Sequence, residues 1–284
     1  MVKTIGNPGS WVAGWFVQTA EHVTESVEAL GGEHTADPVI RKITVDDLKM
    51  ALRKGVEDFE AARTDVIFLC IVYPIIGVAL VALLISNYTL HLVFPVAAGF
   101  ALLGPIAGVV LYEMSRRREK GEEVNWGAAL GVMARPNFSA IVVLALFLIM
   151  IFALWVLAAG EIYRDTLGPV PPASVSSFMT EVLTTGPGWA MIIVGMAVGF
   201  VFALVALAIS VVSFPLLLDR NVGVPVAVIT SYRVFRENPR VVATWGLIVA
   251  VSLALGSIPF FLGLIIVLPI FGHATWHLYR RAVG

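Results

Sequence analysis

The chain has 284 residues, of which 58% are hydrophobic and only 14% charged, with a mean hydropathy of +0.89 and a formal net charge of −1. Soluble domains carry about 25% charged residues, so the composition excludes an ordinary water-soluble domain, and the near-neutral balance excludes the basic excess of a nucleic-acid binder. The one cysteine, Cys70, excludes an internal disulfide and any Cys-x-x-Cys metal motif.

Residues 1–42 read as an acidic amphipathic arm. Ser10 caps a helix on which Trp11, Trp15, Phe16, Val23, Val27 and Leu30 fall near one face, and Gly31-Gly32 stops it. Nothing at its start resembles a cleaved signal peptide. Lys3 is the only base before Arg41. An interfacial helix seeking anionic lipid is normally basic, so Trp11, Trp15 and Phe16 are expected to dock on a protein partner. Residues 43–64 predict a second amphipathic helix. Thr44 and Asp47 make a capping-box pair, and Leu48, Leu52, Val56 and Phe59 form the apolar stripe. This helix is expected to lie along the membrane surface and feed the first span.

Residues 65–284 read as an all-α, polytopic membrane domain. Crossing the hydrocarbon takes roughly 20 apolar residues, and six stretches qualify: Val66–Ser86, Leu92–Met114, Ala140–Ala159, Trp189–Leu218, Val241–Leu255 and Phe260–Leu278. The fourth is long enough to tilt. The last two share one apolar run broken at Gly256-Ser257-Ile258-Pro259, where a tight hairpin is expected.

Basic residues give the orientation. With the N-terminus in the cytoplasm, Arg53, Lys54 and Arg63, then Arg116, Arg117, Arg118, Lys120 and Arg135, then Arg220, Arg233, Arg236 and Arg240, and lastly Arg280 and Arg281 all fall inside. The outer loops hold only Arg164. Both termini are therefore placed in the cytoplasm. A parallel internal repeat is also indicated. Phe100–Leu103 matches Phe202–Val205, and Gly108–Val110 matches Ser210–Val212. Each copy then leaves through a basic segment and a short amphipathic stretch. Shared turn chemistry is the competing explanation.

Candidate chemistry is sparse. His273 and His277, at i and i+4, share a helix face and are the one metal or haem candidate. No third ligand accompanies them in HATWHLYRR, and contacts with headgroups or loops beside Trp276 and Tyr279 are the preferred reading. Of the other histidines, His22 and His34 lie in the arm and His91 at the outer edge. Glu113, Glu161 and Asp219 stand at span ends, and the span interiors lack the ionisable groups that ion-coupled carriers use. Tyr73, Ser210, Ser213 and Thr244 would line a solute path if one exists; helix contact is the plainer role. Gly104/Gly108 and Gly195/Gly199 form GxxxG pairs suited to helix packing, and Pro74, Pro105, Pro215 and Pro269 predict kinks. No nucleotide, zinc-protease or nucleophile motif is present, so no enzyme activity and no cofactor is expected.

The segments FPLLLDRNVGVPVAVITSYRVFRENPR and GLIIVLPIFGHATWHLYRR, with FALLGPIAGVVLYEMSRR and IRKITVDDLKMAL, resemble a bacterial family of integral membrane proteins of unknown function. The resemblance spans roughly residues 39–282 and implies a bacterial inner-membrane location. Some members carry a cytochrome c oxidase subunit I-like label. Five histidines in the whole chain, two of them outside the spans, are too few for a haem–copper catalytic subunit. The remaining implication is an accessory, assembly or scaffold protein of a larger, possibly respiratory, complex, with the lipid bilayer and a membrane protein or a second copy as partners. A transporter or channel for a small or lipid-like solute is the alternative.

Overall fold

A computed structural model of the chain describes residues 38–86, 89–135 and 137–284. Trp11, Trp15, Phe16, His22 and His34 lie outside the described residues. Among the described residues all regular structure is helical, apart from one antiparallel bridge between Ile40 and Val283.

Helix α1 (Val45–Ala61) begins at the expected capping box. The Asp47 N–H donates to Thr44 Oγ1 at 3.3 Å and the Thr44 N–H donates to Asp47 Oδ2 at 2.8 Å. Its buried face is Leu48, Ala51, Gly55, Asp58 and Phe59, while Val56 is 37% exposed. The stripe is therefore rotated from the expected one, and it packs on a helix instead of lipid. The reason is the small residues: a Cβ added at Gly55 would lie 2.7 Å from Ala274 Cβ and from the Ile270 carbonyl oxygen. Ala51 and Gly55 add little to a hydrophobicity pattern but admit a neighbouring backbone.

Helices α2 (Arg63–Cys70) and α3 (Val72–Ser86) form one apolar rod with a turn at Ile71. A 3₁₀ turn at Leu90–Leu92 leads into α4 (Val93–Ala107) and α5 (Val109–Glu119), separated at Gly108. Pro105 sits inside α4, where it supplies no N–H to the ladder. Next come α6 (Trp126–Leu130), capped by the Asn125 side chain at 2.7 Å, a 3₁₀ turn at Gly131–Ala134, and α7 (Phe138–Thr166). Ser174 caps α8 (Val175–Thr184). Then follow α9 (Gly186–Ser210), α10 (Ser213–Asp219), α11 (Val224–Glu237), α12 (Pro239–Ser257) and α13 (Leu264–Ala282).

Among the described residues four helical stretches are long and apolar enough to cross a membrane: Arg63–Ser86, Phe138–Thr166, Gly186–Asp219 and Pro239–Ser257. They fall on the first, third, fourth and fifth expected spans. The second expected span is divided at Gly108 between α4 and α5. The sixth starts only at Leu264, and its last turns are polar.

The two described ends of the fold meet. The Arg41 N–H donates to the Ala282 carbonyl at 2.9 Å and the Gly284 N–H to the Val39 carbonyl at 2.8 Å. Asn238, at the elbow between α11 and α12, locks this strap: its Oδ1 accepts from the Ile43 N–H at 3.0 Å and its Nδ2 donates to the Arg41 carbonyl at 3.2 Å. The opposite end of the bundle carries a smaller cluster of Tyr163, Phe178 and Val182, with His91 stacked on Tyr163 at 3.9 Å.

The turn between α12 and α13 stops short of that opposite end. Phe261 packs on Gly77 of α3 and belongs to a cluster with Tyr73, Val81 and Ala97. From Gly77 to the end of α3 at Ser86 is about 13 Å at 1.5 Å per residue. Phe260 and Phe261 both take positive φ, 52° and 64°. The turn uses its own acceptors: the Phe260, Phe261, Leu262 and Leu264 N–H groups donate to the carbonyls of Ile258, Ser257, Pro259 and Phe261. Such internal satisfaction suits a turn surrounded by hydrocarbon. In a Cys70→Ala background, Phe260→Cys is expected to resist a membrane-impermeant maleimide from both faces of intact vesicles and to react in detergent, since Phe260 is 78% exposed. Labelling at the rate of Ser174→Cys would place the turn in water instead.

Candidate functional site

The polar groups of the bundle gather at the end where the strap closes. Asp58 is the hub. It occupies the buried face of α1 one turn beyond Gly55, and α5 presents Ser115 and Arg118 to it from positions i and i+3. The Ser115 hydroxyl donates to Asp58 Oδ2 at 2.6 Å, His277 Nε2 lies 2.8 Å from the same oxygen, and Arg118 Nη1 lies 3.1 Å from Oδ1. Burial by itself pushes the Asp58 carboxyl up. The hydrogen bonds from His277 and Ser115, with the charges of the two histidines, outweigh it and hold the group below the usual carboxylate value.

His273 completes the cluster. It is buried, with Nδ1 2.8 Å from Ser115 Oγ. A hydroxyl has one proton, and here it goes to the ionised Asp58. The His273 Nδ1–H must therefore donate to Ser115, and its Nε2 is buried and without a hydrogen-bond partner. Serine, histidine and aspartate are thus neighbours, but the order is carboxylate–hydroxyl–imidazole. In an activated nucleophile the imidazole stands between the other two, so this histidine does not draw the proton from Ser115.

A second hub lies on the same end of α5. Glu113 is 0% exposed. Arg116 holds it through Nε at 2.7 Å and Nη2 at 2.9 Å, Arg117 through Nε at 2.9 Å, and Arg135 through Nη2 at 2.7 Å. The Glu113 hydrogen bond, the first cause, raises the Arg116 pKa against the opposing effect of burial. A third set joins α13 to α5 and α10. Tyr279 donates to Asp219 at 2.8 Å, Trp276 Nε1 donates to Glu119 at 3.0 Å, and Arg280 Nε reaches Glu119 at 3.2 Å.

The expected site residues are placed as follows. His273 and His277 do share a face and reach one network, but they meet α1 and α5 instead of headgroups. Among the described residues no group of three or more His, Cys, Asp or Glu is arranged to hold a metal ion. Gly199 of α9 meets the Trp155 ring of α7, with an added Cβ 2.9 Å away; Gly108 faces Tyr112 of its own helix; Gly104 and Gly195 have nothing within 4 Å. Close approaches lie instead at Gly99 on Phe152, Gly246 on Leu207, Gly55 on Ala274, Gly77 on Phe261, Gly263 on Gly256 and Gly272 on Leu111. The hydroxyls of Ser210, Ser213 and Thr244 donate to the carbonyls of Ala206, Ile209 and Arg240 on their own helices. Tyr73 packs among apolar side chains. A cavity of about 300 Å³ opens between α4, α9, α12 and α13, and of these four residues Ser210 lines it.

Asp58, Ser115 and the depth of Glu113 were not read from the sequence. The i, i+3 and i+4 spacing of Glu113, Arg116 and Arg117 is the local signal for the second hub. Asp58 had the signal of a polar residue in register with Leu48, Ala51 and Gly55.

The fold is that of an integral, multi-pass helical membrane protein. Residues 93–219 match the model of a family described as a predicted integral membrane protein, DUF2189. The match runs from α4 to the end of α10, so it contains Glu113, Ser115 and the arginines of α5 and leaves out Asp58, His273 and His277. It is narrower than the resemblance noted above, and its description names no oxidase. No curated protein and no solved structure matches the chain.

Asp58→Asn is expected to lower stability at pH 7 by about 2 kcal/mol, the scale of hydrogen bonds to a charged group. Because the folded pKa is depressed, the stabilisation is present above the unfolded value of about 3.9 and lost as pH falls through the folded value. Thermal unfolding against pH should therefore show the two proteins converging below about pH 4. A constant gap down to strong acid would assign the loss to packing.

Proposed function

We propose that the chain is a non-catalytic accessory or scaffold component that packs against a larger complex, a respiratory one among the candidates, in a bacterial inner membrane. The observation that carries this reading is the closed polar layer. Asp58, Glu119 and Asp219 are held by side chains of other helices, and Glu113 by Arg116 and Arg117 of its own helix together with Arg135, an arrangement that fixes the relative positions of α1, α5, α10 and α13. A rigid end with an acidic arm leading into it suits docking.

The same reading includes six membrane-inserted segments with both ends cytoplasmic. The pairing of residues 39–41 with 282–284 supports an even number of passages. The gathering of arginines at that end, against Arg164 alone at the other, supports a cytoplasmic assignment. The repeat gains support from two interrupted helices, α4–α5 and α9–α10, each followed by a short helix before the next long one. One specific observation favours the alternative of a carrier for a lipid-like solute: the apolar cavity beside α9.

Purification of the tagged native-level protein in mild detergent is expected to recover a reproducible membrane-protein partner. Removing residues 1–37 should abolish that recovery while leaving thermal unfolding of the membrane domain unchanged. Recovery of the chain alone, or equal partner recovery without the arm, would count against docking through Trp11, Trp15 and Phe16.

A further inference from the structure

We propose that the lateral cavity is a binding site for one anionic phospholipid from the leaflet on the polar-layer side, with an acyl chain in the cavity and the headgroup phosphate on Arg240. The inference does not rest on the accessory reading.

The lining first defines the ligand's body. Ala203 and Leu207 of α9 face Ala243, Leu247 and Ala250 of α12, and Gly104 of α4 leaves its side of the wall open. No charged side chain lines the cavity. The hydroxyls of Ser210 and Thr275 donate to the carbonyls of Ala206 and Phe271, each at 2.7 Å, so their protons are committed. Tyr112 and Trp245 are the other lining residues with a polar atom, and one hydroxyl and one indole N–H are too few to replace the hydration of a polar solute, whereas hydrocarbon loses nothing.

The depth defines which hydrocarbon. The cavity reaches Leu253 and Leu268, next to the turn that stops inside the apolar layer, and descends to Thr275, beyond His273 in the polar layer. From Ala243 to Leu253 the span is about 15 Å, half of a hydrocarbon core of roughly 30 Å. It is one leaflet deep and ends beside the hairpin.

Charge defines the head. Arg240, Ala243, Leu247 and Ala250 recur at i, i+3, i+7 and i+10, so Arg240 stands on the same stripe of α12 as the lining, at the polar end. It is exposed, with no carboxylate within 4 Å among the described residues, and the same holds for Arg233 and Arg236 of α11. Glu237 is the only acid on α11 or α12, and Lys42 lies against its carbonyl at 2.6 Å. The polar ends of α11 and α12 are therefore net basic. A guanidinium pairs with phosphate through two parallel N–H donors, and basic pockets between helices on this side suit anionic headgroups.

Native mass spectrometry of the full chain in mild detergent tests this, with phosphatidylglycerol and phosphatidylcholine of matched chains titrated back. One retained phosphatidylglycerol is expected, preferred roughly tenfold over phosphatidylcholine, about one charge-assisted contact in size. Arg240→Gln should remove the preference and keep the chain-dependent binding. Ala250→Phe, or Ala203→Phe from the opposite wall, should abolish retention of both lipids. Both alanines are exposed at the cavity, so an unchanged unfolding temperature verifies the fold. Full retention in both filled variants, an undiminished preference in Arg240→Gln, or displacement of the lipid by millimolar inorganic phosphate would each overturn the assignment. None of these results depends on partner recovery, so the two proposals fail separately.

Discussion

The ionised carboxylate of Asp58, buried between three helices, is the constraint on which the architecture turns. Removing such a group from water costs several kcal/mol unless protein donors replace the lost hydration. Ser115, His277 and Arg118 do this from α5 and α13, and no one helix could supply all three. Helix α1 thus has a single position in which its buried charge is solvated. Gly55 makes that position accessible by letting α1 approach Ala274 closely. Charge satisfaction and close packing each require the other here, because a bulkier side chain at Gly55 would move Asp58 away from its donors.

Within the apolar layer the controlling rule changes. Lipid is as apolar as leucine, so burying a leucine between helices gains little over leaving it in lipid. Specificity comes from small residues and fixed turns. Gly263 faces Gly256 across the last hairpin, Gly77 receives the Phe261 ring, and Gly272 receives Leu111. The hairpin tip from Ile258 to Leu262 is apolar, and the Phe260, Phe261, Leu262 and Leu264 N–H groups find carbonyls within the turn. A polar tip would draw the turn towards the far surface and pull Phe261 out of its contact with α3.

These two regimes explain how much the sequence revealed. Apolar length is a direct readout of the solvent, so the helical membrane class and the starts of the long helices were legible from Val66, Ala140 and Val241. The capping box at Thr44 was legible because it is local. The docking of α1 on α13 was not, since Ala51 and Gly55 carry no hydrophobic signal and the partner helix lies more than two hundred residues away. The GxxxG spacing was legible but not its use: Gly199 receives the Trp155 ring, whereas Gly104 and Gly195 have nothing within 4 Å among the described residues. His273 and His277 were recognisable as a pair, but their role depends on Asp58 and Ser115, which only folding brings near.

The two ends of the bundle also differ in how tightly they are held, and this bears on function. At the strap end, ion pairs and hydrogen bonds join residues 41–58 to residues 115–118, 238 and 273–284. At the other end, His91, Tyr163, Phe178 and Val182 form a small cluster, and His91 Nδ1 is buried without a partner. Local opening is expected where buried contacts and cross-links are few, so the Tyr163 end should yield first and the strap end last. A surface that must present a fixed arrangement to another protein is better built on the end that opens last. That end is also where the basic residues, helix α11 and the strap at residues 39–41 converge.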